Sequence, residues 1–251
     1  MGMGMGTGRG TGAAREARFA AAVEAVRPAD GGGLSVAAVD LVTGGAVSYG
    51  DRAFVTASVV KVDILLALLL RAQDAGRDLT GQEREYAAAM IGRSDNDAAS
   101  ALWDGIGRAA GLDAANARLG LTRTAGGDGT LWGLTRTTAE DRIRLLRQVF
   151  GAGPVLGEDA RAYARGLMER VVPDQAWGVP AVADAGTAWA VKNGWLPRDA
   201  TGLWVVHSVG RVTAGGRPCL LAVLSDGNAT LAHGVALVER AAEAARAAVA
   251  G

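Results

Sequence analysis

The sequence predicts an α+β protein, in which one antiparallel sheet of about five strands is flanked by terminal helices and joined to a helical lobe. Strand patterns occur near both ends of the chain, at 34–49 and 188–225, whereas the segment between them is mostly helical in pattern. Amphipathic helices open and close the chain. Because strands must share a sheet to bury their apolar faces, we expect the two strand groups to pair.

The first strands follow a short helix. Residues 1–12 are a Gly- and Met-rich low-complexity segment, which we expect to be a disordered tail. Residues 13–26 predict an amphipathic helix. Leu34 to Asp40 and Ala46 to Tyr49 alternate apolar and polar residues around Thr43-Gly44-Gly45, which indicates a hairpin.

The middle of the chain predicts several helices. Ser58 to about Ala72 is apolar on nearly every face, so this helix should be central and buried. Thr80 with Glu83, and Thr137 with Glu140, have the spacing of capping boxes that open two more helices. Further helical stretches follow Asp97, ending near Gly107 or Gly111, and span Asp159 to Val171.

Three strands and a helix complete the chain. The strands are predicted at Ala188–Gly194, Gly202–Val212 and Pro218–Ser225, and the helix at 231–249. We expect a single domain over 13–251, with an α/β lobe at about 13–57 and 185–251 and a helical lobe at about 58–184. A site at the junction of the two lobes would follow a common arrangement.

Composition excludes several classes of protein. The formal net charge is zero, which gives no reason to expect nucleic acid or an anionic membrane as a partner. The single cysteine, Cys219, excludes internal disulfides, and two isolated histidines predict neither a metal site nor a cofactor. No apolar run is long enough to span a membrane and no secretory leader is recognisable, so the chain as given reads as cytoplasmic; a secreted mature form would look similar.

Lysine is rare in this chain. Only Lys61 and Lys192 occur among 26 basic residues, and the other 24 are arginine. A buried lysine can lose its proton, whereas arginine effectively cannot. Each lysine lies in a short motif, Ser58-Val59-Val60-Lys61 and Lys192-Asn193-Gly194, which suggests that both positions require lysine chemistry.

The first motif combines a nucleophile with a base. An S-x-x-K spacing at a helix start places Ser58 and Lys61 one turn apart on one face. The helix N-terminus adds free backbone N–H groups and a positive dipole end. A readily deprotonated lysine there can act as general base for the serine.

Two further motifs have both functional and structural interpretations. Ser94-Asp95-Asn96 offers a hydroxyl for proton relay and an amide for a substrate carbonyl, but these residue types also cap helices. Lys192-Asn193-Gly194 could supply a cation and backbone donors, or could be an ordinary strand end. The order of the three motifs along the chain favours the functional interpretation.

This set of motifs resembles that of the class A serine β-lactamases and the related penicillin-binding D,D-peptidases, whose pattern is S-x-x-K, S-D-N and K-T-G. The resemblance covers roughly Ala13 to Val249, because the order of helices and strands is also similar. It implies the β-lactamase/transpeptidase-like fold and an acyl-enzyme mechanism on a small-molecule substrate, either a β-lactam or a related ester or peptide-like amide.

The resemblance also implies roles for individual residues. Ser58 would be the acylated nucleophile, Lys61 its base, Ser94 the proton relay and Lys192 the electrostatic partner. Substrate-binding groups would be Asn96, Asn193, Gly194, Trp195 and Arg211, with the backbone N–H groups of Ser58 and Trp195 forming an oxyanion hole.

The chain departs from the family pattern at two places. Asn193 replaces the usual Thr or Ser of the third motif, exchanging a hydroxyl for an amide that can still bind a carboxylate. No glutamate occurs between Asp97 and Ala139, where class A enzymes carry the glutamate that activates the deacylating water. Asp128 is either a substitute base or a turn residue flanked by glycine.

Three functions therefore remain open. The chain is a β-lactamase-like serine hydrolase, a D,D-peptidase-like penicillin-binding protein with slow deacylation, or a non-catalytic module that keeps the pocket. Trp132, Trp177, Trp189 and Trp195 lie in segments expected near the cleft, either as core and loop anchors or as an aromatic wall for a ring-bearing substrate.

Overall fold

The computed structural model describes residues 7–27, 31–152 and 155–250. Within these ranges the chain forms eight α-helices and seven strands. The strands are β1 (Leu34–Asp40), β2 (Ala46–Tyr49), β3 (Phe54–Val55), β4 (Arg136–Thr137), β5 (Ala190–Arg198), β6 (Leu203–Ala214) and β7 (Arg217–Asn228). The helices are α1 (Thr7–Glu24), α2 (Val60–Asp74), α3 (Gly81–Gly92), α4 (Asn96–Ile106), α5 (Arg108–Leu119), α6 (Ala139–Phe150), α7 (Glu158–Met168) and α8 (Leu231–Ala250).

Five strands form one antiparallel sheet in the order β2-β1-β7-β6-β5. The strands from the two chain ends meet where β1 pairs with β7, from Leu34 opposite Ser225 to Asp40 opposite Cys219. The predicted α+β fold is therefore confirmed. β5 is the outer strand of the sheet next to the helical segment, and β3 pairs with β4 in a separate two-stranded ladder.

The sheet separates two apolar clusters. Along β1, Val36 and Ala38 contribute to the cluster shared with α1 and α8, whereas Ala37 and Val39 face the helices from the middle of the chain. This alternation follows from the two-residue period of a strand. Both faces of the sheet are thus covered, which explains why all seven residues of β1 are buried.

Helix α2 is central, as predicted. Every residue from Val60 to Leu70 is buried, including the acidic Asp63. Asp63 forms a two-bond ion pair with Arg142 of α6, and both side chains are fully buried. Burial raises the pKa of Asp63, while the adjacent guanidinium opposes that rise. The pair joins α2 to α6, and loss of one partner would leave an uncompensated charge in the core.

Helix caps confirm one sequence prediction and correct another. Thr80 and Glu83 form the predicted capping box at the start of α3. The second box, predicted from Thr137 and Glu140, is wrong by one residue. Thr138 is the cap of α6, and its hydroxyl accepts the backbone N–H of Asp141. Two adjacent threonines leave the register of a cap ambiguous in the sequence.

The start of α1 differs from the prediction, whereas α4 ends at the first of its two predicted ends and is followed by a helix that was not predicted. α1 begins at Thr7, so residues 7–12 of the predicted disordered tail are helical, whereas residues 1–6 lie outside the described part of the chain. Extending an existing helix costs less free energy than nucleating a new one, so a segment with low helix propensity can continue it. After α4, the left-handed Gly107 turns the chain directly into a separate helix, α5.

None of the described helices combines the length and the apolar character needed to cross a bilayer.

Candidate active site

Ser58 lies in a 3₁₀ turn, Ala57–Val59, that leads directly into α2. Its side chain is half-buried, whereas Ala57 and Val59 on either side are buried. Ala57 adopts a left-handed conformation with φ of 45°. That conformation costs a non-glycine residue about 1–2 kcal/mol, and such strain concentrates at functional sites. Sequence analysis missed it, because alanine gives no signal for a left-handed position.

Lys61 lies within the first turn of α2 and is fully buried. Its Nζ donates to the carbonyl oxygen of Ser94 at 2.6 Å and to Oδ1 of Asn96 at 2.8 Å, and it lies 3.1 Å from the Ser94 hydroxyl oxygen. Burial lowers the pKa of Lys61 to about 8, although Asp95 favours the charged form. The three hydrogen-bonding contacts of the Lys61 Nζ are thus with the Ser94–Asn96 segment and not with Ser58.

The Ser94–Asn96 segment caps a helix and also contacts Lys61. Asp95 is the cap of α4, since its carboxylate accepts the backbone N–H of Ala98 at 2.8 Å. Ser94 has a left-handed φ of 59°, and both its hydroxyl and the Asn96 amide contact Lys61. The structural role thus belongs to the middle residue, while the two outer residues contact the lysine.

Lys192 approaches Ser94 from the sheet. It lies on β5, is 1% exposed, and its Nζ lies 3.0 Å from the Ser94 hydroxyl oxygen and 2.8 Å from the carbonyl oxygen of Asn193. Burial lowers the pKa of Lys192 well below its ordinary value, and the positive charge of Lys61 lowers it further. Each of the two lysines on this hydroxyl disfavours the charged form of the other, because like charges close together repel.

Gly194 brings β5 against the nucleophile. A Cβ atom at this position would lie 2.9 Å from the backbone nitrogen of Ser58 and 2.8 Å from that of Val59. Only glycine permits this approach. Since β5 is an outer strand of its sheet, part of its N–H groups have no strand partner. This geometry fits an oxyanion hole between Ser58 and Trp195, which stays a prediction.

Asn193 does not have the predicted placement. Its side chain is 1% exposed, and its amide nitrogen donates to the backbone carbonyls of Gln175 at 2.8 Å and Trp177 at 3.0 Å. The amide therefore holds the 175–177 segment instead of facing a substrate carboxylate. Strand alternation accounts for this, because neighbouring side chains on β5 point to opposite faces and Lys192 occupies the face towards Ser94.

Arg211 lies on the face of the sheet that carries Lys192. It is opposite Ala190 in the ladder, two residues from Val209, which is opposite Lys192. Its side chain is half-buried and donates to the carbonyl of Ala188 at 3.2 Å. This placement is compatible with binding a substrate carboxylate, which stays a prediction.

Three of the four tryptophans singled out in the sequence lie close to the motifs. The Trp132 ring packs on Lys61, with Nζ 4.9 Å from the ring centroid, and its indole N–H donates to the Ser100 hydroxyl at 3.1 Å. Trp177 and Trp195 contact each other, with ring centroids 5.9 Å apart. Trp189 instead packs on the core cluster beside α8.

Two other ionisable residues have structural roles. Asp128 is exposed in a turn, where its backbone carbonyl accepts from Leu131 at 2.9 Å, as expected of an aspartate flanked by glycine. His207 is buried between β3 and the sheet, with Nδ1 accepting from the backbone N–H of Ser225 and Nε2 donating to the carbonyl of Val55. Burial lowers the pKa of His207 to about 4, so it stays neutral while it anchors β3.

The described residues hold no cluster of three or more His, Cys, Asp or Glu side chains suited to a metal ion.

Comparison with known proteins identifies the family. The sequence model of the β-lactamase enzyme family matches residues 82–249, about two thirds of the chain. The chain belongs to the β-lactamase enzyme family. The matched segment includes Ser94–Asn96 and Lys192–Gly194, and it begins after Ser58 and Lys61.

Curated relatives of this β-lactamase family chain include LppW of Mycobacterium tuberculosis and of Mycobacterium bovis, provisionally named a lipoprotein. Each is 31% identical over 173 residues, covering 66% of this chain and 55% of the relative. The chain thus spans about half the length of these relatives.

Solved structures of β-lactamases share the fold. The TLA-1 extended-spectrum β-lactamase has a TM-score of 0.83 at 13% identity, over 94% of this chain and 99% of that one. A β-lactamase from Sphaerobacter thermophilus has a TM-score of 0.76 at 22% identity, over 91% and 95%. A point variant of PBP-A, solved as an acyl-enzyme complex with penicillin G, has a TM-score of 0.77 at 22% identity, over 92% and 96%.

Proposed function

We propose that this protein is a serine hydrolase that forms an acyl-enzyme on Ser58 with a β-lactam or a related amide or ester, and that it releases the acyl group slowly. One observation carries the proposal. The Ser94 hydroxyl lies within hydrogen-bonding distance of two buried lysines, and one of them, Lys61, lies in the first turn of the helix that follows Ser58. This is a proton-transfer network beside a nucleophile.

In the acylation step, the neutral form of Lys61 removes the proton of the Ser58 hydroxyl as its oxygen attacks the carbonyl carbon. With a pKa of about 8, Lys61 is roughly one-tenth neutral at pH 7, so a base is available near neutral pH. The negative charge that develops on the carbonyl oxygen is stabilised by the backbone N–H groups of Ser58 and Trp195.

Collapse of the tetrahedral intermediate breaks the bond between carbonyl carbon and leaving nitrogen. The nitrogen takes its proton from the Ser94 hydroxyl, which is resupplied by the lysine protonated in the first step. An ester on Ser58 and a free amine result. In a β-lactam the amine remains attached, so the whole molecule is retained on the protein.

Hydrolysis of this ester requires an activated water. No glutamate occurs between residues 97 and 139, and the side chain that lies on Lys61 is Trp132. Indole is a hydrogen-bond donor only and cannot accept a proton from water. The acyl-enzyme should therefore persist.

A D,D-peptidase-like function is the second candidate. PBP-A, which shares the fold, was solved with penicillin G as an acyl-enzyme, and the LppW relatives are named as lipoproteins. An extracytoplasmic location would give such a protein access to peptide substrates of the cell wall. A non-catalytic module that keeps the pocket is the third candidate. The Ser58→Ala variant tests it, because a protein that only binds would show no adduct or turnover that depends on Ser58.

Intact-mass spectrometry during incubation with a penicillin tests the proposal. We expect the mass to rise by that of the whole penicillin in the wild type and in Ser48→Ala, a control at an exposed serine on β2, and to stay unchanged in Ser58→Ala. Rapid, Ser58-dependent loss of penicillin without an adduct would overturn only the slow deacylation and would leave the acyl-enzyme mechanism in place. If the protein forms no adduct and also does not consume the penicillin, the proposed β-lactam reaction is overturned.

A further inference from the structure

A cavity lies at the far end of β5 from Lys192. It has a volume of about 480 Å³, between the β3–β4 ladder and the hairpin that joins β5 to β6. This volume is within the usual range for small-molecule pockets. Three arginines, Arg52, Arg136 and Arg198, line it and are called here the arginine pocket. Apolar side chains complete its wall, namely Phe54, Leu203 and Val205.

The arginine pocket has an excess of positive charge. Its lining includes one acidic residue, Asp226, so three arginines less one aspartate leave two positive charges. Arg52 forms an ion pair with Asp226 and stacks on Phe54, with its guanidinium carbon 4.5 Å from the ring centroid. Asp226 therefore already neutralises the charge of Arg52, and its guanidinium is held in place.

Arg136 and Arg198 supply the excess charge. Within the described ranges, neither forms an ion pair with a carboxylate. Arg136 uses one nitrogen to donate to the carbonyl of Ala53 at 3.0 Å, and both residues line the cavity. Unpaired guanidinium groups that share one cavity repel each other, and a bound anion would relieve the repulsion.

The pocket is aligned with the nucleophile along β5. Lys192, Gly194 and Arg198 are separated by even numbers of residues, so they share one face of the strand. Gly194 contacts the Ser58 backbone, and Arg198 lies four residues further on. At the rise of a strand, this separation is roughly 13 Å. Because the Thr56–Val59 backbone covers this face at Gly194, an extended acyl arm on Ser58 would follow the outer edge of β5, and it would cover that distance with about ten bonded atoms.

We propose that the arginine pocket binds a carboxylate or phosphate group at the end of the substrate's acyl arm, and so selects substrates with an anionic arm. The inference rests on the proposed function, because attachment to Ser58 defines the arm. Guanidinium groups bind carboxylate and phosphate through paired N–H donors, which suits either anion.

Three cephalosporins test the proposal, each carrying a six-carbon acyl arm on the C7 amine. One arm ends in a carboxylate, one in its methyl ester and one in a phosphonate. We expect the two anionic probes to acylate Ser58 at least about tenfold faster than the methyl ester. The double variant Arg136→Gln/Arg198→Gln should lose this preference while keeping the methyl ester rate, whereas Arg240→Gln, at an exposed position on α8, should keep both.

The outcomes separate this inference from the proposed function. Equal rates for all three probes on the wild type would overturn the anion pocket and leave the acyl-enzyme intact. A preference for only one anion would identify the group that is bound. If no probe acylates Ser58, the proposed function fails, and calorimetric titration with monomethyl adipate and with inorganic phosphate decides the pocket. Binding that disappears in the double variant supports the pocket, and no binding overturns it.

Discussion

Lys61 and Lys192 converge on one atom, the hydroxyl oxygen of Ser94, which lies 3.1 Å from the first Nζ and 3.0 Å from the second. One lysine comes from the central helix and the other from the outer strand of the sheet. Both have a lowered pKa because both are buried. A hydroxyl between two such amines can pass a proton in either direction, as amide cleavage requires.

Removal of the Ser94 hydroxyl should slow acylation while leaving the fold in place. In Ser94→Gly the left-handed backbone is retained, since glycine adopts it freely. We expect the acylation rate by a penicillin to fall at least about 100-fold, as for loss of a proton-transfer group. Ser94→Ala should be equally slow and also less stable. An unchanged acylation rate in Ser94→Gly would exclude the relay.

Acylation should depend on pH through Lys61. Its pKa is lowered to about 8, so the lysine is protonated and inactive as a base below that value. The rate constant for acylation should rise about tenfold per pH unit below pH 8 and level off above it. Lys61→Arg should lose nearly all activity, because arginine keeps its proton. A flat profile between pH 6 and 9 would show that another group is the base.

A methyl group at Gly194 should separate β5 from the nucleophile. In Gly194→Ala the new Cβ would fall 2.9 Å from the Ser58 backbone nitrogen, so the strand or the turn must move. We expect acylation to slow by about 100- to 1,000-fold, similar to the loss of one oxyanion donor. Gly81→Ala is the matched control, because a Cβ there meets no neighbouring atom within 4 Å. Kinetics of acylation in both variants, with circular dichroism as a check of folding, makes the comparison.

Trp132 should govern the lifetime of the acyl-enzyme. In Trp132→Ala the indole that lies on Lys61 is removed, which admits water beside the base. We expect the adduct to decay at least about tenfold faster than in the wild type, whereas Trp132→Phe should decay at a similar rate to the wild type. Decay followed by intact mass after removal of free penicillin gives the rates. Equal lifetimes in all three proteins would show that the indole does not control access of water.

Asn193 should contribute to stability rather than to substrate affinity. In Asn193→Thr two backbone carbonyls, those of Gln175 and Trp177, lose their donor. We expect the free energy of unfolding to fall by about 1–3 kcal/mol, and the fluorescence of the Trp177–Trp195 pair to change. Urea unfolding measures the first effect. If stability is unchanged and only the KM for substrates with a carboxylate rises, the amide faces the substrate after all.

The sequence predicted the fold and which motifs meet, but not the direction of every side chain. Lys61 and Lys192 each lie in a regular element whose period places them towards the junction of sheet and helices, where they meet Ser94 in the turn between α3 and α4. Asn193 is a neighbour of Lys192 in the sequence, yet it points to the other face of β5. A short motif does not distinguish the two, whereas strand alternation does once the strand is known.

Contacts between residues that are far apart in the sequence could not be predicted either. The contact between Trp132 and Lys61 joins a short 3₁₀ helix and an α-helix 71 positions apart, and no local pattern encodes it. The arginine pocket combines residues from four distant segments of the chain. Its arginines, Arg52, Arg136 and Arg198, have no distinctive neighbours among the 24 in the sequence. The cap at Thr138 was missed for a different reason, because its neighbour Thr137 has the same chemistry.

Location of the penicillin adduct within the chain tests the central claim most directly. The protein is treated with a penicillin, quenched in acid, digested with pepsin and sequenced by tandem mass spectrometry. The account predicts a whole-penicillin adduct that fragment ions assign to Ser58 rather than to Lys61 in the same segment, and no adduct on the peptides that carry Ser94 or Lys192. An adduct on any other residue, or a Ser58 peptide that stays unmodified while the intact protein is labelled, would contradict it.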